Sequence, residues 1–279
     1  APEGAVAVTG SPPRLFAAFG AASERGRNME EMPTGAPCGS SEAGEAAELW
    51  AFFENAAAFY ALLSSIFYLE LTEEQIDGLA ESGFAFPDDG SEVGDACAAM
   101  RRYLARRGPD ARQDLAVDYA RVFLAAGVYE GETAVPYESV YTSPEGILMQ
   151  DSRDEVVRAY RRWGLAIPRD LNVPEDHLAF ELEFMGRLSE RIAAGLGAEG
   201  APATADDLGA EVGEGGFADG VRAMMHAQAT FIDEHLLNWV PRLLERVKKF
   251  ACTPFYPAIT QLALSYIKEN RAVLKEVLS

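Results

Sequence analysis

The residues best placed to do chemistry lie in Val173–Met185, VPEDHLAFELEFM, where one of only three histidines, His177, follows Asp176. Pro174 suits the opening position of a helix, because its missing N–H is not needed there. Glu175 and Asp176 then fall in the first turn, where the positive end of the helix dipole favours anions. Leu178, Leu182, Met185, Leu188 and Ile192 recur at helical spacing and form one apolar stripe. Glu181 falls inside that stripe, one turn beyond His177. A buried carboxylate that loses its partner costs about 3–5 kcal/mol, so this helix is expected to do more than pack.

Several chemistries are tested by spacing. A di-iron bundle needs Glu-x-x-His pairs, but the residues three before His177, His226 and His235 are Pro174, Ala223 and Ile232. HExxH, G-x-S-x-G and a P-loop are absent, and no glycine pattern follows a strand-like run as dinucleotide binding requires, so hydrolase, NTPase and dehydrogenase readings lack support. Cys38, Cys97 and Cys252 are far apart and form no CxxC pair, which argues against a zinc site and for a reducing compartment. No metal or cofactor is expected.

The elements that must position these residues read as helices. Leu49 to Phe67 is apolar almost all round, as in a helix at the middle of a bundle. Thr72 with Gln75 makes a capping box for a second helix ending near Gly83. A third helix spans about Val93–Arg107, and a fourth runs from Pro109 to Gly127. Val128–Met149, with its prolines and turn residues, is expected to be irregular. Ser152 with Glu155 predicts another capping box and a short helix closing near Gly164. After the Val173–Ala194 helix, Gly195–Gly220 is glycine-rich and acidic and reads as a flexible loop. A long helix from Phe217 to Trp239 should break or kink at Pro241, with a segment beyond it to Phe250. The last helix follows Pro254 and Pro257, with Ile259, Leu262, Tyr266, Ile267, Leu274 and Val277 facing inward. The expected fold class is all-α, a single-domain bundle of about eight to ten helices over 45–279.

Residues 1–44 are rich in Ala, Gly, Pro and Ser and read as a disordered tail. Leu15–Ala22 is too short for a membrane span, which needs about 18 apolar residues, and only weakly resembles a secretion signal. Met29 and Met32 suggest that the first 28 residues are an extension the fold does not need. Hydrophobic residues make up 48 % of the 279, enough for a large core. The formal net charge of −20 opposes nucleic acid and anionic membranes and favours basic partners; solubility alone would also explain it.

Four ordered segments carry a family resemblance: DYARVFL at 118–124, PYESVY at 136–141, PEDHLAFELEFM at 174–185 and HLLNWVPRLLERV at 235–247. Together they resemble the TorD/DmsD-type redox-enzyme maturation chaperones, relatives of the NarJ assembly proteins, from about Leu49 to the C-terminus. The resemblance implies a TorD-like, cytoplasmic, non-enzymatic chaperone. Its partners would be the twin-arginine leader and apoprotein of a molybdopterin-containing oxidoreductase, whose cofactor insertion it assists and whose export it holds back. Asp176 and His177 match the family's acidic-histidine pair implicated in leader binding. Tyr137, Glu138 and Tyr141 match its aromatic-rich segment, Tyr119 and Phe123 the preceding helix, and His235 and Trp239 the C-terminal motif.

Arginines of a leader call for carboxylates, and its apolar run for an aromatic groove. Asp176, Glu138 and Glu181 are the expected charges, Tyr119, Phe123, Tyr137 and Tyr141 the groove, and His177 an orienting group or pH-dependent hydrogen bond. Plainer readings stand beside these. Asp176 is a first-turn acid, His177 and Glu181 satisfy each other at i and i+4, and Tyr137 and Tyr141 pin the irregular segment. The rival functions are a NarJ-like adaptor acting on a mature oxidoreductase subunit and an unrecognised metal-dependent helical enzyme. The proline-bounded link 167–173 is a candidate hinge for a homodimer that exchanges halves.

Overall fold

The computed structural model describes residues 41–82, 90–127, 132–167, 171, 173–197 and 217–279. The expected tail therefore lies outside the described residues, except that the first helix begins at Ser41, before the expected boundary at 45. Most of the 195–220 loop and of the 167–173 link also lies outside them. The two ends of that loop are helical rather than irregular.

Helix α1 (Ser41–Tyr68) and helix α7 (Leu178–Gly197) make the most extensive helix–helix contact and form the centre of the bundle. Phe53, Tyr60, Leu63 and Phe67 on α1 are buried, as are Leu182, Met185, Leu188 and Ile192 on α7. The axes come close because Gly186 has no side chain: a Cβ there would meet the Ala57 carbonyl oxygen at 3.3 Å and Tyr60 Cβ at 3.5 Å. Gly44–Tyr68 is long and apolar enough to cross a membrane by length and composition, but half of its apolar 18-residue stretch is buried in the bundle.

Around this pair lie α2 (Glu73–Ser82), α3 (Glu92–Ala105), α4 (Ala111–Phe123) and α6 (Asp151–Arg162). The Thr72–Gln75 capping box forms: Gln75 N–H donates to Thr72 Oγ1 at 3.2 Å, and Thr72 N–H to Gln75 Oε1 at 2.9 Å. The Ser152 box does not. Gln150 occupies the cap position of α6, while Ser152 lies buried in its first turn and accepts from Thr142 Oγ1 at 3.1 Å. α4 is shorter than expected, because the chain turns left-handed at Ala125, with φ 53°, just past its end. The segment expected to be irregular contains a one-turn helix, α5 (Glu138–Thr142).

Helix α8 (Phe217–Phe231) continues through a π-helical turn, Ile232–Leu236, into α9 (Leu237–Phe250). The expected break at Pro241 does not occur, since Pro241 lies inside α9. A π-helical turn precedes Pro241 by little more than one helical turn. Helix α10 (Phe255–Leu278) runs back antiparallel: Arg271 pairs with Asp233, and Arg222 donates to the Leu278 carbonyl. Buried Asp118 of α4 accepts from Cys252 N–H, Thr253 N–H and Thr253 Oγ1, fixing the turn between α9 and α10. Among the described residues there is no strand, only one isolated bridge, so the chain is all-α.

Candidate functional site

The bridge lies at the site. Tyr137 and His177 pair as extended residues, and this pairing sets the starts of α5 and α7 side by side. Leu178 N–H donates to the Pro136 carbonyl at 2.9 Å, and Glu138 N–H to the Asp176 carbonyl at 3.0 Å. Pro174 therefore does not open the helix. Pro174 to His177 forms a turn, and α7 begins at Leu178.

Two adjacent helix starts present N–H groups that no helix can satisfy. Asp176 answers for α5: its Oδ2 accepts from Ser139 N–H at 2.9 Å and from Ser139 Oγ at 2.5 Å. It is a buried cap across space rather than a first-turn acid of its own helix. His177 answers for α7, its Nδ1 accepting from Ala179 N–H at 3.1 Å. That bond requires a neutral ring with the proton on Nε2, and burial pushes its pKa down to about 4. Tyr137 packs edge-on against the His177 ring at 4.9 Å, with Tyr68 and Phe180 beyond.

Behind this layer lies a buried acidic group. Glu138, at the start of α5, stands 2.9 Å from Nδ1 of His235, which belongs to the π turn. Single π turns inside helices are frequent at functional sites. Glu181 does not pair with His177. Its Oε2 accepts from Trp239 Nε1 at 3.1 Å. Burial raises the Glu181 pKa well above its ordinary value, and the nearby Glu138 and Asp176 charges add to that. Both effects favour the neutral acid over the carboxylate. Asp176 Oδ1 has no partner. Tyr141 lies against Trp239 at 5.3 Å, and the Arg246 guanidinium lies over the Tyr141 ring, 4.4 Å from its centroid. Arg246 also donates to the Thr133 carbonyl at 2.9 Å, and Arg242 to that of Tyr141.

Eight of the expected residues are thus gathered around α5: Asp176, His177, Glu138, Tyr137, Tyr141, Glu181, His235 and Trp239. Tyr119 and Phe123 are not among them. Both are core residues; Tyr119 donates to the Phe67 carbonyl at 3.0 Å, and Phe123 packs on Phe67 and Tyr256. Asp176, Glu138 and Glu181 are 0 %, 1 % and 0 % exposed, so as folded they offer no surface to an arginine. Sequence reasoning passed over Ser139, Tyr68, Arg242 and Arg246. Ser139 lies within the quoted PYESVY segment, but its partner is 37 residues away and no local pattern reveals it.

The accessible groups lie around the cluster. Tyr68 and Tyr137 are half-buried, Leu69 is 58 % exposed and Leu124 60 %, and Glu70 is exposed on the same end of the bundle. Phe67 against Phe123 joins the two helix ends that carry Leu69 and Leu124. Glu175 is part-buried and held by Arg153 through two bonds of 2.7 and 2.8 Å. Among the described residues no group of three or more His, Cys, Asp or Glu could hold a metal ion.

Residues 87–245, which include every expected site residue, match the family described as nitrate reductase delta subunit. The chain is also similar to a protein named chaperone protein TorD from Vibrio cholerae, 31 % identical over 239 residues, covering 83 % of this chain and 97 % of the relative. Similar proteins of the same name occur in Aliivibrio fischeri, 30 % identical over 79 % of this chain and 95 % of the relative, and in Vibrio parahaemolyticus, 28 % identical over 81 % and 98 %. These relatives are named as chaperones.

Proposed function

Because the chain belongs to the nitrate reductase delta subunit family and resembles its TorD chaperones over most of its length, we propose that it is a chaperone for a molybdopterin-containing oxidoreductase. It binds the client's twin-arginine leader and apo form in the cytoplasm, assists cofactor insertion and delays export until folding is complete. It is not an enzyme.

One observation carries the leader reading. The exposed end of the bundle combines aromatic and aliphatic side chains, Tyr68, Tyr137, Leu69 and Leu124, with an exposed acid, Glu70, in a chain of net charge −20. A leader with a basic start and an apolar run is complementary to that surface. The buried Asp176, His177, Glu138 and Glu181 would then position it by holding α5 against α7, with His235 and Trp239 fixing the far side. The test is titration of a synthetic twin-arginine leader into the wild type and Tyr137→Ala, alongside a leader carrying two lysines. The reading expects tenfold or greater weakening from either change. Equal affinity throughout would sink it.

A second reading, the NarJ-like adaptor on a mature subunit, is favoured by the burial of all three expected carboxylates, which leaves no acid inside the cluster for an arginine pair. Pull-down with the full-length client and with its mature, leaderless subunit separates the two, since only the adaptor binds both alike. We also propose, independently of either reading, exchange of halves about the 167–173 link, which predicts a mixture of monomer and dimer by size-exclusion chromatography; a single monomeric peak at all concentrations refutes it.

A further inference from the structure

The short loop between α5 and α6 exposes three large apolar residues in a row: Ile147 at 54 %, Leu148 at 41 % and Met149 at 55 %. Single exposed apolar residues are ordinary; three adjacent ones on a rigid support are not. The support is well built. Gly146 N–H donates to Ser143 Oγ at 3.1 Å, Gln150 Nε2 donates to the Leu148 carbonyl at 3.0 Å, and the Thr142–Ser152 bond closes the loop's base. Met149 holds a left-handed backbone, φ 64°, that a side chain rarely adopts. The core would gladly take three such residues, yet none of them contributes to it.

The charges around this tip select its occupant. Glu145 and Asp151 flank it, both exposed and without an ion-pair partner among the described residues. Arg153, the nearest cation along the chain, is already held by Glu175 and Asp154. A second copy of a chain with net charge −20, an anionic membrane and nucleic acid would all meet like charge here. We propose that the Ile147–Met149 tip is a second docking surface, which receives the apolar face of a basic amphipathic helix on a protein partner. Its side chains seat against that face, while Glu145 and Asp151 meet the flanking lysines or arginines. This surface uses none of the residues of the leader contact and does not depend on it.

The probe is a synthetic 18-residue helix of leucine and lysine without arginine, carrying one benzophenone on its apolar face, with a leucine–glutamate helix as its counterpart. The wild type, the triple variant Ile147→Ser, Leu148→Ser, Met149→Ser, and Tyr137→Ala are titrated with each. The proposal expects the triple variant to bind the basic helix at least tenfold more weakly, Tyr137→Ala to bind it as the wild type does, and the photo-crosslink to map to residues 144–151. Equal binding by the wild type and the triple variant overturns it, as does a crosslink elsewhere. So does equal binding of the acidic helix, or no binding of the basic helix at all. Because the three residues are exposed, the triple variant should melt as the wild type does, so a loss of binding is not a loss of fold. Failure here with a twin-arginine leader still bound leaves the leader reading standing; failure of both probes removes both.

Discussion

The Asp176 carboxylate accepts two hydrogen bonds from Ser139, 37 residues earlier in the chain, at 2.9 Å from the backbone N–H and 2.5 Å from the hydroxyl. This pair ties α5 to the start of α7 from the inside of the protein. Asp176→Ala leaves both Ser139 donors buried and unpaired, and should cost about 3 kcal/mol of stability. Asp176→Asn keeps an acceptor oxygen and should cost about 1 kcal/mol. Urea unfolding checks both. A loss of leader affinity in either variant therefore has to be read against its unfolding curve before Asp176 is assigned a contact.

His177 should give the protein an acid limit. Its folded pKa, about 4, lies below the ordinary 6.5, so the folded state resists a proton that the unfolded chain accepts. The stabilisation is fully present above pH 6.5 and is lost as pH falls from there towards 4. By pH 5 the loss is about 2 kcal/mol. His177→Asn retains a capping oxygen for α7 but does not titrate, so it should be less stable at pH 7.5 from lost packing yet flatter in acid. Urea midpoints at pH 7.5 and 5 test this; parallel losses in both proteins would refute it.

Glu181 gives the opposite slope. Its folded pKa is raised, so the folded state keeps a proton that the unfolded chain releases above its ordinary carboxylate value. The contribution is complete below that value and declines as pH rises. Glu181→Gln stays neutral, can still accept from Trp239 and can donate towards Glu138. Thermal midpoints between pH 6 and 9 should fall in the wild type and fall less in the variant, which becomes the more stable of the two at the alkaline end. Identical curves would show that Glu181 carries no proton there.

Much of this arrangement was legible in the chain, and its limits have physical causes. The apolar repeats of α1, α7 and α10 and the Thr72–Gln75 box are local patterns, and local patterns survive folding. Helix α5 spans only five residues, too short to develop a periodicity, and its cap comes from a distant residue. Ser152 and Glu155 have the right spacing for a box, but Thr142 engages the Ser152 hydroxyl instead. The family resemblance brought together Asp176, Glu138, His235 and Trp239, yet it gave no information on which way they face. Tyr119 and Phe123 look like groove residues in a motif, whereas the Phe67 carbonyl and ring place them in the core.

Gly186 should tolerate no side chain larger than a methyl group at the crossing of α1 and α7. The Cβ of Gly186→Ala would sit 3.3 Å from the Ala57 carbonyl oxygen, a backbone atom that cannot turn away. The better helix propensity of alanine offsets about 1 kcal/mol of that crowding, so Ala should be near neutral to mildly destabilising. Gly186→Val adds two methyl groups in the same gap and should cost about 3 kcal/mol through forced separation of the helices. Denaturant midpoints of the pair check the ordering, and a stabilising valine would exclude the close crossing.

Ala125 and Met149 share a left-handed backbone, φ 53° and 64°, but the strain serves different ends. At Ala125 it terminates α4: Ala126 N–H turns back to the Ala120 carbonyl at 2.9 Å, a helix ending usually made by glycine. Ala125→Gly removes the Cβ clash and should stabilise the protein by about 1 kcal/mol, partly offset by the freer unfolded chain. Met149→Gly relieves similar strain, and its half-exposed side chain contributes little to packing, so it should be stabilising by a similar amount. Only the second change takes an apolar group from the Ile147–Met149 tip. The two variants should therefore melt together, above the wild type, and differ in affinity for the basic helix, with Ala125→Gly binding as the wild type does. A Met149→Gly protein that gained stability and kept full affinity would show that the strained residue is a feature of the turn alone.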